Sequence, residues 1–444
     1  MNRRYTLQFV LGMLMMVMIL SPAVTWAGGL YLYEVGPAEV RTASAGIAAR
    51  AQDASTLFTN PAGMTRIKQP EILFGAQPLY SHLDFKSDSN TSAGNETQPG
   101  PGNRSADDGD ASAWIPTGST FYVAPITSQL SLGIGMLGYF GSVLNYDNGW
   151  VGRYYAREVQ LQGLTFMPAA AYRVNEWLSF GAGLNAMYAM LKEKIAVNNT
   201  PLLDPLGRRD FPDGELEIKD NEWGFGFLAG VLVEPTPHTR FGLTYLSKTR
   251  LDFEVNTDWS DLRPGLASIL GSRGLLDADI RMEINVPQAV MLSGYHEIND
   301  RWAVMGNLGW QDWSDFGSID VGVSAENSTS LTVDAHYKDT WHAAAGVQYK
   351  ASDPLLLSLG VAFDSSMMGD GQRSPSLPLG IAWRFGTGAQ YKAKKNIDLS
   401  FAYEFIWTGD MEMDVNRGPL AGRVSGEYDD TSLQVLSLAL NWRF

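Results

Sequence analysis

The chain has no cysteine among its 444 residues and only 5 histidines. Without cysteine there is no disulfide stapling, so an extracytoplasmic protein must rely on burial and backbone pairing. No Gly-x-Ser-x-Gly elbow occurs and there is no thiol nucleophile or His/Cys cluster, so catalysis and metal binding find little support. His336 and His342 share a strand parity six residues apart, which reads as an ordinary stray pair. No cofactor and no metal is implied. Charge is sparse at 18% Asp, Glu, Lys and Arg, and the net value of −15 argues against nucleic acid and a polybasic membrane-surface binder. Acidic residues such as Asp107, Asp108 and Asp110 fall in loop-like stretches and read as solvated loop charge, not a calcium site.

Long apolar runs are missing after residue 27, so no segment reaches the roughly 18 to 20 residues of a membrane helix. The first 27 residues read instead as an export signal. Arg3 and Arg4 form its basic start, Phe9 to Leu20 its apolar core, and Thr25-Trp26-Ala27 its cleavage site, which places the expected mature start at Gly28 and the protein outside the cytoplasm.

What remains is rich in aromatics and glycine, with 13 Trp, 18 Tyr, 19 Phe and 46 Gly. From about residue 70 it alternates with period two. Ile397, Leu399, Phe401, Tyr403, Phe405 and Trp407 share one face, while Asp398, Ser400, Ala402 and Glu404 share the other. Leu178 to Tyr188 and Trp223 to Val231 behave alike, with Gly, Ser, Ala and Asn on the second face. Each run matches the roughly 9 to 11 residues of a tilted membrane strand. A soluble sandwich would carry more charge on its outer face. Trp177, Trp302, Trp310, Trp407 and Trp442 sit at strand ends, as interface girdles require.

Six tight turns are expected at 125–128, 174–176, 235–237, 298–300, 351–354 and 394–396. Seven longer connections lie near 87–110, 142–157, 197–216, 257–278, 314–330, 365–375 and 414–428. These counts imply fourteen antiparallel strands in a transmembrane β-barrel with short turns at one end and long loops at the other. Leu436, Leu438, Leu440, Trp442 and Phe444 alternate to a terminal aromatic, as a paired last strand in lipid demands.

Residues 28–69 are left over from this wall of residues 70–444. Asp53 is expected to cap a short helix through Leu57, Asn60 and Pro61 to start a second as N-cap and N1, and Gly63 to end it. The signal, the segment Asp53 to Met64 (DASTLFTNPAGM), the fourteen strands and the terminal Phe resemble the FadL-type family of outer-membrane transporters for long-chain fatty acids and other hydrophobic compounds. Trp223-Gly224-Phe225-Gly226 after Asn221-Glu222, and Trp177 to Gly181 after Tyr172 to Asn175, are similar to the family's strands.

The resemblance implies a non-enzymatic channel in the Gram-negative outer membrane, with residues 28–69 as a plug, or hatch, inside the barrel. It also implies a mature N-terminus that reaches a ligand pocket, which by position is Gly28 and Gly29 with Leu30, Tyr31, Leu32 and Tyr33. Asp53, Asn60, Pro61 and Ala62 are then plug architecture. The family's third strand is kinked for lateral release. Here that strand is Leu130 to Gly141, and Gly138 and Gly141 mark the expected opening, since glycine weakens strand pairing. Making room for the plug is the alternative for these glycines.

In loop 257–278, Leu262, Leu266, Ile269 and Leu270 recur at helical spacing and suggest an apolar capture surface, joined by Pro201, Leu202, Leu203, Leu206 and Phe211. Arg384 faces inward, as do Glu404, Asp364 and His342, so these groups either pair internally or meet a ligand carboxylate. Expected partners are hydrophobic small molecules, outer-membrane lipids and, during assembly, the barrel insertion machinery, with the protein a monomer. The rivals are a polar-solute porin, which predicts no plug, and an outer-membrane lipid hydrolase built across strands, which predicts one essential inward Ser or His.

Overall fold

In the computed structural model the described residues are 30–92, 108–199, 212–272, 274–276, 279–316, 318–324, 329–334, 337–417 and 421–444. The export signal, Gly28, Gly29, Asp107, residues 201–211 and His336 lie outside them.

Alternation becomes a closed wall of fourteen strands. They are β1 (Glu71–Ala76, Leu79–Ser87), β2 (Gly109–Asp110, Ala113–Ile115, Gly118–Pro125), β3 (Leu130–Asn145), β4 (Glu158–Arg173) and β5 (Leu178–Val197). Next come β6 (Gly214–Thr236), β7 (Thr239–Leu246, Thr249–Ser260), β8 (Asp279–Val286, Ala289–Glu297), β9 (Trp302–Gln311, Ser318–Ser324) and β10 (Thr329–Asp334, Thr340–Ser352). The last are β11 (Leu355–Asp364), β12 (Ala382–Lys394), β13 (Ile397–Asn416) and β14 (Arg423–Arg443). Each strand pairs antiparallel with the next. β14 then meets β1 with Ile72 opposite Trp442 and Phe74 opposite Leu440, which joins the first strand to the last.

The expected faces are where parity puts them: Phe401 and Leu399 are about half exposed on the outside, while Ala402 and Glu404 are wholly buried. All six tight turns are present. Residues 314–330 depart from expectation, because β9 and β10 continue there and pair Ser318 to Val323 with Thr329 to Asp334.

Several strands are also broken. In β7 both Leu246 and Thr249 are buried, as are Val286 and Met291 in β8, so the in-out parity flips at Ser247-Lys248 and Pro287-Gln288. The β6–β7 ladder stops at Leu228 opposite Leu246 and resumes at Lys219 opposite Asn256. In between, β7 steps inward across Gly224 and Gly226, where any side chain on β6 would collide with Thr249.

Residues 30–66 fill the barrel as helix α1 (Pro37–Val40), helix α2 (Thr56–Thr59) and a 3-10 helix (Pro61–Arg66). Outside these turns the segment carries little regular structure, yet all but Gln52 and Arg66 are buried. Inward glycines explain the fit. A Cβ on Gly242, Gly360 or Gly386 would overlap the backbone carbonyl of Ala48, Thr42 or Val40, and one on Gly181 would overlap the backbone at Pro61 and Ala62. The inner segment therefore lies backbone-to-backbone on the wall, and wall residues Asn307 and Ser293 accept from Gly46 N and Ala48 N at 2.9 and 3.1 Å.

Gly360→Val and Gly242→Val each overpack this contact, at a cost of about 1–3 kcal/mol. Trypsin is expected to cut both variants at Arg41 and Arg50 while their barrels stay heat-resistant on gels; protection equal to the parent would refute the contact.

Candidate functional site

The inner segment's frame departs in two places from the capping expected of it. Asp53 Oδ1 accepts from Ser55 N at 3.0 Å and Ser55 Oγ at 2.5 Å, so it holds the turn before α2, which starts two residues later than expected. Gly63 sits inside the 3-10 helix instead of ending it, because a Cβ there would strike Thr56 and Ala51. Asn60 is the N-cap: its Oδ1 accepts from Ala62 N at 3.1 Å, with Pro61 at N1. The Asn60 Nδ2 group donates to Ala48 O at 2.7 Å and to Val231 O on β6 at 3.0 Å. One amide thus ties two parts of the inner segment to the wall.

Glu39 on α1 pairs with Arg50, and both are buried. Burial pushes the Glu39 carboxyl up to about 7, with Arg50 pulling the other way.

Upstream, the string expected to meet ligand lies against β3. Leu32 N donates to Tyr139 O at 2.7 Å and Gly141 N to Leu30 O at 2.8 Å, with Tyr31 opposite Phe140. The β2–β3 ladder stops at Ser119 opposite Leu137, and the upper pieces of β2 pair with β1 alone. On its other side β3 continues along β4 with a shift between Gly138 and Phe140 that leaves Tyr139 as a bulge. Gly141 has φ 150°, a backbone angle that favours glycine. At Gly138 a Cβ would meet only Gly163 O at 3.5 Å, so that glycine does not make room for the inner segment. Residues 30–32 thus take the neighbour position on an edge of β3 that β2 has left.

Aromatic rings continue inward from this edge. Tyr31 lies 5.2 Å from Tyr33 and 5.3 Å from Tyr139, and Phe58 lies 5.0 Å from Tyr139. Phe140 meets Trp313 and Phe316 of a short helical turn between the two pieces of β9. Tyr31, Tyr33, Ile47, Phe58, Leu228, Leu246 and Met291 enclose a cavity of about 40 Å³. That holds a water or two, not an organic cargo. A larger hollow of about 630 Å³, floored by Gly294, Gly306 and Ala343 between Phe241, Leu308 and Trp383, faces outward toward lipid.

At the long-loop end the described residues pack closely. Trp150 is fully buried in the β3–β4 connection, stacked 4.0 Å from Tyr146, whose hydroxyl meets Tyr428 at 2.7 Å on β14. The expected loop helix exists as α3 (Pro264–Ser272), held beside the β5–β6 connection by Asn199, which donates to Asp261 O at 3.1 Å. Its apolar residues do not form one open stripe: Leu266 is buried, Leu262 and Leu270 are half-buried and Ile269 is exposed.

The inward charges converge. Arg384 on β12 donates through Nε to Asp364 Oδ2 of β11 at 2.5 Å, and Asp364 Oδ1 lies 2.6 Å from His342 Nδ1 on β10. Glu404 on β13 is 3.9 Å from Arg384 Nη1. The same Nη1 binds Glu34 of the inner segment, a partner missed in the sequence although it is the one acid in the apolar string Leu30 to Val35. Tyr33 covers the cluster, its ring 5.3 Å from the guanidinium and 4.3 Å from the His342 ring.

A family model described as outer membrane protein transport protein (OMPP1/FadL/TodX) matches residues 18–444. The chain is 27% identical over 409 residues to a long-chain fatty acid transport protein of Salmonella typhi, covering 89% of this chain and 90% of that one. It is 28% identical over 433 residues to outer membrane protein P1 of Haemophilus influenzae, covering 90% of each. Among solved structures it is similar to a Pseudomonas aeruginosa FadL homologue, with TM-score 0.81, 23% identity and coverage of 94% and 100%. The Ralstonia pickettii toluene transporter TbuX shares the fold with TM-score 0.65, 18% identity and coverage of 94% and 99%.

Asn60→Ala removes the cap and both tethers, a local loss of about 1–3 kcal/mol. Amides of residues 46–66 are expected to exchange roughly tenfold faster or more, with wall strands unchanged; uniform protection would show that Asn60 is dispensable.

Proposed function

We propose, for a chain that belongs to the OMPP1/FadL/TodX family of outer membrane transport proteins, that its cargo leaves sideways through the wall beside β3. Membership makes it a non-enzymatic outer-membrane transporter of hydrophobic compounds; the route and the residues are the proposal. Relatives are named for long-chain fatty acids and for toluene, so both classes are candidate cargo.

Cargo is captured at the outer loops, where α3 offers Ile269 to solvent, with its Leu266 and Leu270 and the preceding Leu262 less exposed. It then passes to the aromatic string Tyr31, Tyr33, Tyr139 and Phe58. Because the cavity there is small, residues 30–33 must move before a molecule fits. Gly138 and Gly141 form the exit, with Asp53, Asn60, Pro61 and Ala62 as the frame that stays.

One observation carries this reading: Leu30 to Leu32 pair with β3 where β2 does not. A bare strand edge in lipid would leave backbone groups unsatisfied. The segment supplies those bonds by strand addition, and the pairing is short enough to reverse, with two backbone bonds joining Leu30 and Leu32 to β3. Closure and opening thus use the same short stretch.

The natural lack of cysteine makes a clean test. Tyr31→Cys with Phe140→Cys places two thiols on directly opposed residues, within disulfide reach. Oxidation is expected to stop uptake of a labelled hydrophobic compound and reductant to restore it; equal uptake in both states would sink the proposal. Ile269→Asp is expected to lower uptake several-fold at low concentration only, by weakening capture. An unchanged uptake curve would remove α3 from the route.

A further inference from the structure

We propose that Arg384 is an exchange site, where the carboxylate of an amphipathic cargo takes the place of Glu34 and so frees the N-terminal strand from β3. The proposal rests on the lateral-exit reading above and adds the trigger that opens it.

The cluster sets three carboxylates, Glu34, Asp364 and Glu404, and His342 around one guanidinium, all buried. Two of the acids cannot leave. Asp364 and Glu404 project from ladder-paired positions, opposite Ala382 and Gly386 of β12. Glu34 belongs to the inner segment, two residues beyond the Leu32 bond to Tyr139 O, and no helix or ladder anchors it. It is the exchangeable ligand of Arg384.

Burial makes the exchange selective. Withdrawing Glu34 with nothing in its place would leave the Nη1 donor of a dry guanidinium without its acceptor, since Asp364 holds Nε and Glu404 stands 3.9 Å away, which is unfavourable. A cargo carboxylate has the same atoms and charge as the Glu34 side chain, so substitution leaves the cluster's balance unchanged. A neutral hydrocarbon of equal apolar area offers no replacement. Acidic cargo therefore lowers the cost of detaching residues 30–34, and neutral cargo does not.

Access runs past Tyr33. One side of its ring lies over Arg384, and the ring also lines the cavity with Tyr31, Phe58, Leu246 and Met291. Its hydroxyl accepts from Gln311 Nε2 at 2.9 Å. Arg384 Nη2 has no partner among the described residues, so the guanidinium keeps a donor for an incoming oxygen. A tail in the cavity and a head beyond Tyr33 would meet the two chemistries in the order an amphiphile carries them.

The test compares hexadecanoate with its methyl ester on purified, full-length protein in micelles. Glu34→Gln removes the internal competitor, so affinity for hexadecanoate is expected to rise roughly tenfold while that for the ester stays level. Glu34→Asp, which keeps the charge, is expected to stay near the parent. In the Tyr31→Cys, Phe140→Cys protein, hexadecanoate is expected to slow disulfide formation and the ester to leave it unchanged. Acid and ester shifting together in Glu34→Gln, or neither shifting, overturns the exchange, provided heat-resistant migration confirms a folded barrel. If Glu34→Gln separates acid from ester but the oxidised cross-link leaves uptake intact, the exit fails and the Arg384 site stands as binding alone. A cross-link that blocks uptake with no acid-ester difference leaves the exit and removes the exchange.

Discussion

Everything in this molecule follows from the lack of hydrogen-bonding solvent in a bilayer, where each backbone amide of the wall must find a partner in the chain itself. Thirteen neighbouring contacts and the β14–β1 closure meet that demand nearly everywhere. The β6–β7 ladder is interrupted where β7 steps inward, and between β2 and β3 pairing ends at Ser119 opposite Leu137 while β3 runs on to Asn145. The bonds missing at β3 come from Leu30 and Leu32, inside the barrel. A wall that is closed there by a segment from its own interior depends on that segment for its pairing.

The same economy of space fixes the rest of the inner segment. Gly242, Gly360 and Gly386 let backbone touch backbone, which a single Cβ would prevent, so residues 40–48 have nowhere to slide. Asn60 and the Glu39–Arg50 pair fasten the chain on either side. Firmness declines toward the N-terminal end, where two backbone bonds and the Glu34 ion pair hold residues 30–34. Attachment thus weakens along one short segment, from its frame to its N-terminal end.

Much of this was legible because parity is a strict code: Phe401 out and Ala402 in follow from period two alone, and so do the inward positions of Arg384, Asp364, Glu404 and His342. Their convergence was not, since parity names a face and not a height or a register. The breaks at Ser247-Lys248 and Pro287-Gln288 were hidden for a related reason. A bulge answers to what fills the barrel, and Thr249 steps inward because Gly224 and Gly226 across from it leave room. Gly63 shows the reverse error, a glycine read as a helix end from local chemistry when Thr56 and Ala51, packed against it, are its cause. In Ser318 to Ser324 the apolar Ile319, Val321 and Val323 alternate with Ser, Asp and Gly, so parity did mark a strand there, and its position inside a long polar connection let it pass for a loop.

Magnitudes decide how far the inner segment needs to travel. Ten buried methylenes supply about 8 kcal/mol before association costs. Peeling Leu30 to Leu32 from β3 sacrifices two backbone bonds, about 1 kcal/mol each, along with ring contacts of similar size. Expelling the whole segment would also break its buried ion pair to the wall, Glu34 with Arg384, at about 3–5 kcal/mol, and lose the Asn60 tethers and carbonyl-to-glycine contacts. The gross binding energy is therefore of the same order as local peeling at the N-terminal end and falls well short of expelling the whole segment. The cavity of about 40 Å³ lies at that same end, beside the stretch of β3 with which residues 30–32 pair.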